Sequence, residues 1–187
     1  MRIWGLFGVS VFLMTSACAY RLGPHQRQLP EGHKTIYVKM FENRTQEVGI
    51  ESDWTNTFIQ EFSRSGVATV SAEAQAGLLI SGVIHSVDFL AKTPISVQPS
   101  SAEGQARSMF TEYQTRVTIV LKATDQNKKD VWQGQFVGEK NYRAPQLTTY
   151  GLRTANPLYN QNARRQTIQA IAKEVAFEAV SRMTENF

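Results

Sequence analysis

Strict alternation of apolar and polar residues marks the second half of the chain. In Tyr113 to Ala123 every second position is apolar except Thr115, and the positions between are Gln114, Arg116, Thr118, Val120 and Lys122. After a polar turn at Asp125 to Asp130, Trp132 to Tyr142 alternates in the same way with Gln133, Gln135 and Glu139. A period of two residues is typical of a strand with one buried face, so these segments predict an antiparallel hairpin.

Three further strands are predicted ahead of this hairpin. Thr35 to Phe41 is rich in β-branched residues and has apolar residues on both faces, which predicts the first strand. Val67 to Val70 predicts a short strand, and Leu78 to Phe89 predicts a long one. We expect a bulge at Gly82, because a glycine inside a strand often marks one.

Two segments have the helical period. Ser52 is a suitable N-cap for a helix that carries Trp54, Phe58 and Phe62 on one face and ends at Gly66. Three aromatic residues on one face are compatible with a ligand-binding surface, but packing against a sheet explains them better. Asn162 is the expected cap of the last helix, whose apolar stripe comprises Ile168, Ile171, Ala172, Val175, Ala179 and Met183.

The order of elements predicts an α+β fold. We expect a mixed, mostly antiparallel sheet of about four strands with two helices packed on one face. Residues 91–110 and 143–161 contain prolines and glycines without a sustained period, which predicts two long loops of the kind that is often functional.

The first residues of the chain differ in composition from the rest. Ile3 to Met14 is apolar except for Gly5, Gly8 and Ser10, and it is too short to cross a bilayer as a helix. Residues 1–17 are therefore predicted to be a signal peptide. Residues 18–33 contain two prolines and two glycines and predict a tether, which leaves 34–187 as the folded domain.

Cys18 is the single cysteine of the chain. The small residues before it, Thr15-Ser16-Ala17, resemble the lipobox of bacterial lipoproteins, with Thr15 in place of the commoner leucine. The resemblance implies a covalent lipid on Cys18, and Ala19 after the cysteine implies sorting to the outer membrane, where the chain would be lipid-anchored on the periplasmic side. The alternatives are an ordinary secretory signal and a buried core cysteine.

Charge and motifs favour binding over catalysis. The formal charge of +4 is too small and too dispersed to predict a nucleic-acid partner. His25, His33 and His85 lack metal-ligand spacing, and there is no nucleophile elbow or glycine-rich phosphate loop. We expect no enzyme activity, no metal and no cofactor apart from the lipid on Cys18.

Several short motifs in order resemble the LptE family of lipopolysaccharide-assembly lipoproteins. They are Cys18-Ala-Tyr-Arg-Leu, Leu29-Pro, the strand Ile36-Tyr-Val-Lys-Met-Phe-Glu-Asn-Arg-Thr45, Glu61-Phe62, Thr111-Glu-Tyr-Gln114 and the alanine-rich last helix. The resemblance implies a domain lodged in the lumen of the outer-membrane β-barrel LptD, where it helps the barrel to fold and lipopolysaccharide to enter the outer leaflet.

Lipopolysaccharide carries phosphates, which basic side chains bind through charge-assisted hydrogen bonds. The resemblance places basic contacts at one end of the sheet, and the candidates there are Arg107 and Arg143, followed by Lys92 and Lys140. The alternative for each residue is an ordinary surface charge.

A second binding class shares part of the pattern. Penicillin-binding-protein activators and the amino-terminal domain of TolB resemble this chain in the strand that precedes the first helix. The Thr111–Gln114 hairpin, the long loop and the last helix favour the LptE family instead. A regulatory or scaffold lipoprotein of the cell envelope is therefore the alternative function.

Overall fold

The computed structural model describes residues 27–97, 107–144, 146–149, 152–155 and 157–185. For residues 93–97, 107–111, 146–149, 152–155 and 157–159 it describes only the backbone. The predicted signal peptide, Cys18, His25 and most of the predicted tether lie outside the described residues.

The described residues form eight strands and two α-helices. In chain order they are β1 (Thr35–Val38), β2 (Glu42–Asn43), α1 (Ile50–Ser65), β3 (Thr69–Val70), β4 (Leu78–Val97), β5 (Arg107–Asp125), β6 (Asp130–Arg143), β7 (Gln146–Thr149), β8 (Leu152–Ala155) and α2 (Pro157–Glu185). The α+β class predicted from the sequence is confirmed.

One mixed sheet organises the domain. Its order is β3-β1-β4-β5-β6, and β2 also pairs with β4. The pairs of β1 with β3 and β4 are parallel, as is the pair of β2 with β4, whereas β4, β5 and β6 form long antiparallel ladders. The expectation of about four strands was too low: the described residues form a six-stranded sheet and a separate β7–β8 hairpin. The first predicted strand was too long, because β1 ends at Val38, and β2 lies beyond the predicted end at Phe41.

Apolar and polar residues alternate along most of β5, and the alternating apolar ones lie on the buried face of the sheet. Val117, Ile119, Leu121 and Ala123 are fully buried, and they face the two helices together with Ile80 and Ile84 of β4. The intervening residues of β5 point to the opposite face, which no described element covers. Burying each large aliphatic side chain contributes roughly 1.5–3 kcal/mol, so this layer holds the helices to the sheet.

Helix α1 packs through its predicted aromatic stripe. Trp54, Phe58 and Phe62 are fully buried, and Phe58 lies 5.0 Å from the ring of Phe41. The helix ends as predicted at Gly66, which adopts a left-handed conformation. Its predicted start was wrong, because the helix begins at Ile50, after Gly49, and Ser52 lies inside the first turn.

Helix α2 lies against β5, β6 and α1. All the residues of its predicted stripe are buried, from Ile168 to Met183. The predicted cap was wrong, because the helix already begins at Pro157 and Asn162 lies within it. The loop predicted over 143–161 likewise contains β7 and β8.

Strands β4 and β5 extend further than the sequence predicts. Their pairing continues to Val97 and Arg107, inside the segment expected to be a loop. The long ladder supplies backbone hydrogen bonds that local composition does not reveal. The expected bulge at Gly82 was also misplaced, since the pairing shifts between Ile84 and Ser86. A Cβ atom at Gly82 would lie 2.8 Å from the Phe41 ring, so the glycine makes room for that ring.

The end of the predicted tether packs against the domain. Leu29 is 1% exposed and belongs to the core, and a 3-10 helix follows at Pro30–Gly32. The folded part therefore includes residues that precede Lys34.

Candidate functional site

No described element covers the sheet face opposite the helices, and we call it the open face. The register of β4, β5 and β6 places alternate residues on it. Its members are Leu79, Ser81, Val83, Ser86, Asp88 and Leu90 of β4, Glu112, Gln114, Arg116, Thr118, Val120, Lys122 and Thr124 of β5, and Gln133, Gln135, Val137, Glu139, Asn141 and Arg143 of β6. Most of the members on β5 and β6 are polar, as the sequence predicts.

Charged groups on the open face are joined in pairs. Arg116 Nε donates to Glu139 Oε1 at 2.5 Å, and Gln114 Nε2 donates to the other carboxylate oxygen at 2.8 Å. Lys122 Nζ lies 2.9 Å from Asp130 Oδ2, and this hydrogen bond holds the pKa of Asp130 below its usual value. Exposed pairs contribute at most about 1 kcal/mol each, so their main effect is to neutralise the surface.

The far end is the end of the sheet where β6 finishes and α2 begins. There the register aligns Thr93, Glu112 and Arg143 across β4, β5 and β6. Arg143 is exposed, and so is Lys92, which precedes Thr93 at an irregularity in the pairing. The structure thus brings Lys92 and Arg143 to one end of the sheet, beside an acidic residue.

The other two basic candidates are placed differently. Lys140 lies on the helix side of β6 and forms an ion pair with Glu174 of α2. Arg107 pairs with Val97, and its backbone lies five positions before Glu112, about 17 Å along the strand. Arg107 and Arg143 are therefore not neighbours, and the side chain of Arg107 lies outside the described residues.

An arginine-centred cluster at the far end was missed by the sequence analysis. The guanidinium carbon of Arg164 lies 3.7 Å from the centre of the Phe89 ring, and its Nη2 atom donates to Glu47 Oε1 at 2.6 Å. Phe89 meets Tyr142 edge-on, and Tyr142 stacks on Tyr113. Burial raises the pKa of Tyr142. Arg164 and Glu47 lie 117 positions apart, so no local pattern could have paired them.

The loop before α1 is shaped around Asn43. Its side-chain amide donates to Glu47 O at 2.7 Å and to the Glu51 carboxylate at 3.0 Å, while its Oδ1 atom accepts from Thr45 N and Oγ1. These bonds explain why α1 begins before Ser52. They also fix the backbone of Glu47, whose side-chain carboxylate accepts the hydrogen bond from Arg164.

Within the described part of the chain, no three His, Cys, Asp or Glu residues are grouped as a metal site would require. Among the same residues, no helix is both long and apolar enough to cross a membrane.

The fold and its open face define a small α+β domain with a polar surface suited to binding. The family model for lipopolysaccharide assembly, LptE, matches residues 33–183. The chain therefore belongs to the LptE family. The match includes the hairpin and last helix that distinguish this family from the alternative considered above.

Several solved structures are similar to the chain at low sequence identity. A protein from Xanthomonas campestris has a TM-score of 0.51 and 9% identity, over 83% of this chain and 86% of that one. The rare lipoprotein B from Shewanella oneidensis has a TM-score of 0.40 and 11% identity, over 80% and 90%. PelC from Paraburkholderia phytofirmans, a dodecamer, has a TM-score of 0.47 and 13% identity, over 79% and 86%. No curated protein matches the chain by sequence.

Proposed function

We propose that the protein is a lipid-anchored outer-membrane component that binds inside an LptD-like β-barrel, helps the barrel to assemble and assists insertion of lipopolysaccharide into the outer leaflet. The role is one of binding and positioning, without catalysis. Membership of the LptE family supports lipopolysaccharide assembly as the process.

The open face is the observation that supports a barrel partner. Its ion pairs and amide side chains offer donors and acceptors over the long ladders of β4, β5 and β6. The interior of a large outer-membrane barrel is polar, so hydrogen bonds can form across such a contact. A hydrophobic partner would instead leave these polar groups unsatisfied, which is unfavourable.

The anchor is part of the same proposal. A lipid on Cys18 would hold the domain at the membrane through a tether that ends where Leu29 enters the core. Stable anchoring needs more than one acyl chain, because each buried methylene contributes only about 0.8 kcal/mol. The several acyl groups of a bacterial lipoprotein, palmitate among them, meet that need.

One purification tests both parts. The full-length chain with a carboxyl-terminal tag is co-expressed with an LptD barrel and recovered from outer membranes in detergent. We expect near-equal amounts of chain and barrel, and mass spectrometry should find the chain beginning at an acylated Cys18. A matched Cys18→Ser chain should lack the acyl mass, and when it is expressed without the added barrel most of it should leave the outer-membrane fraction.

Two results would contradict the proposal. Recovery with a peptidoglycan synthase and no barrel would favour the regulatory alternative. An unmodified Cys18, or a mature chain that begins elsewhere, would remove the anchor.

A further inference from the structure

Strand β6 forms one edge of the six-stranded sheet, and among the described strands it pairs with β5 alone. Its register with β5 runs without a shift from Trp132 to Arg143. The opposite edge consists of the short strands β1, β2 and β3 and, beyond them, of β4, whose pairing is irregular close to Pro94. In the described part of the sheet, β6 is therefore the long edge that stays regular.

The hydrogen bonds of the neighbouring strands show which backbone groups of β6 are directed outward. Along an antiparallel ladder, successive residues alternate in the side to which their N–H and C=O groups point. Lys39 N donates to Ile80 O at 2.9 Å, so the even-numbered residues at the start of β4 face β1 and the odd-numbered ones face β5. The register pairs those odd-numbered residues with even-numbered residues of β5, which leaves the odd-numbered residues of β5 facing β6. Asp125 N agrees with this assignment, because it donates to Lys129 O at 3.0 Å across the turn.

The odd-numbered residues of β5 pair with even-numbered residues of β6. The odd-numbered residues of β6 therefore direct their N–H and C=O groups away from the sheet, and we call these groups the β6 edge. They belong to Gln133, Gln135, Val137, Glu139, Asn141 and Arg143, all of them exposed.

The β6 edge lacks the usual protection of an edge strand. Proteins shield such edges with prolines, bulges, lysines or very short strands. From Trp132 to Arg143, β6 contains no proline and no shift in register. Its one lysine, Lys140, lies on the helix side and is paired with Glu174. The edge is thus suited to pairing with a further strand.

Helix α2 limits what can pair there. It lies over β6 itself, since a Cβ atom at Gly138 would lie 2.3 Å from Ile171 Cγ2. Neighbouring strands lie about 5 Å apart, whereas packed helices need about 8–10 Å. Two copies of the chain joined through β6 in one antiparallel sheet would therefore bring their α2 helices too close together. A lone extended segment without a helix of its own meets no such obstacle.

We propose that the β6 edge is a site for strand addition, and that it takes an extended loop or terminal segment of the barrel partner. The partner in this statement rests on the proposed function above. Strands in the wall of a closed barrel are already paired on both sides, so the added segment comes from outside the wall. The residues of the β6 edge carry their side chains on the open face, so a barrel that contacts this face also reaches the edge. Main-chain hydrogen bonds would supply affinity, and the alternate side chains would supply specificity.

Amide hydrogen exchange, resolved to single residues, tests the proposal on the full-length chain alone and in its purified complex with the barrel. We expect the amides of the β6 edge, such as Gln135 and Val137, to exchange about tenfold more slowly in the complex. The amides of Phe136 and Gly138, which already pair with β5, should change less. A complex in which the β6 edge exchanges as in the free chain would overturn strand addition and leave the proposed function standing. Failure of the unsubstituted chain to recover any barrel would instead overturn the proposed function, and with it the partner named here.

A proline at position 135 tests the same edge by substitution. Gln135→Pro removes one outward N–H and leaves the ladder with β5 intact, whereas Gln135→Ala removes the same side chain and keeps the N–H. We expect similar melting temperatures for both variants and a several-fold lower barrel recovery for Gln135→Pro alone. Equal recovery of the two would overturn the proposal.

Lys140→Pro checks which amides point outward. Because the Lys140 N–H pairs with β5, this variant should melt well below Gln135→Pro. The reverse order of melting temperatures would show that the edge groups are wrongly assigned and would overturn the proposal. If Gln135→Pro does not fold, Asn141→Pro and Asn141→Ala repeat the comparison nearer the end of the strand, with the same two outcomes.

Discussion

At the scale of single residues, the four basic candidates for lipopolysaccharide contact differ in their surroundings. Arg143 and Lys92 are exposed at the far end, and Glu112 lies opposite Arg143 on β5. Lys140 already has Glu174 as a partner. Arg107 occupies the extended part of β5, away from the other three along the ladder. Each remains a prediction, and the geometry makes Lys140 the least available of them.

Replacing Arg107 and Arg143 together by glutamate should weaken binding of the chain to lipopolysaccharide. A well-formed hydrogen bond to a charged group contributes about 1.5–3 kcal/mol, and exposure to salt lowers that value. Binding should be measured by titration at two salt concentrations. The double variant should lose affinity most strongly at low salt and keep the melting temperature of the unsubstituted chain.

The matched control for this experiment is Lys128→Glu with Lys129→Glu. It makes the same change in charge in the β5–β6 turn, at the opposite end of the sheet. If both double variants lose equal affinity, only the total charge matters. If replacing Arg107 and Arg143 leaves the affinity for lipopolysaccharide unchanged, they are ordinary surface charges.

At the scale of elements, one close contact sets the distance between α2 and β6. A Cβ atom at Gly138 would lie 2.3 Å from Ile171 Cγ2 and 3.0 Å from Val175 Cγ2. These neighbours are fully or almost fully buried, so they have little room to move. The glycine is therefore needed for packing and not for its backbone conformation.

Gly138→Ala should push α2 away from the sheet. Overpacking of this kind lowers the free energy of unfolding by about 1–3 kcal/mol, which corresponds to about 2–4 °C in Tm for each kcal/mol in a chain of this size. Thermal unfolding of the variant and of the unsubstituted chain measures this loss of stability. Val137→Thr is the control, because Val137 is 51% exposed on the open face and should change little. Equal stability of both variants would show that the helix adjusts freely.

The elements that the sequence predicts well are those whose burial follows a regular period. The alternation in β5 and the stripe of α2 each report a single buried face, so their residues are placed correctly. The start of α1 is set instead by side-chain hydrogen bonds from Asn43 to residues four and eight positions further along the chain, which the helical period does not reveal. The extension of β4 to Val97 depends on pairing with β5 and overrides a local composition that favours a loop.

The candidate site likewise has a part that the sequence pattern predicts and a part that it does not. The polar residues of the open face are visible in the sequence, because they alternate with the core residues of β5 and β6. The pairing of Arg164 with Glu47 and Phe89 is not visible, since it joins residues that only the folded chain brings together. Long-range contacts of this kind need the fold before they can be predicted.

At the scale of the whole molecule, the two ends of the sheet have different neighbours. Leu29 and the 3-10 helix after it bring the tether to the end where β1 and β4 begin. The basic candidates, the Arg164 cluster and the β7–β8 hairpin belong to the other end. The open face runs between them. In our account, this face lies against the inner wall of the barrel.

Site-specific photo-crosslinking tests that arrangement most directly. A photoreactive residue at Gln135, exposed on the open face, is compared in intact cells with one at Glu73. Glu73 is exposed in a second 3-10 helix, Glu73–Gln75, which lies just before the start of β4 at the tether end. The account predicts that Gln135 crosslinks to an LptD-like barrel, at peptides facing its interior, and that Glu73 does so much less. Crosslinks from Gln135 to another envelope protein, or barrel crosslinks from Glu73 alone, would contradict it.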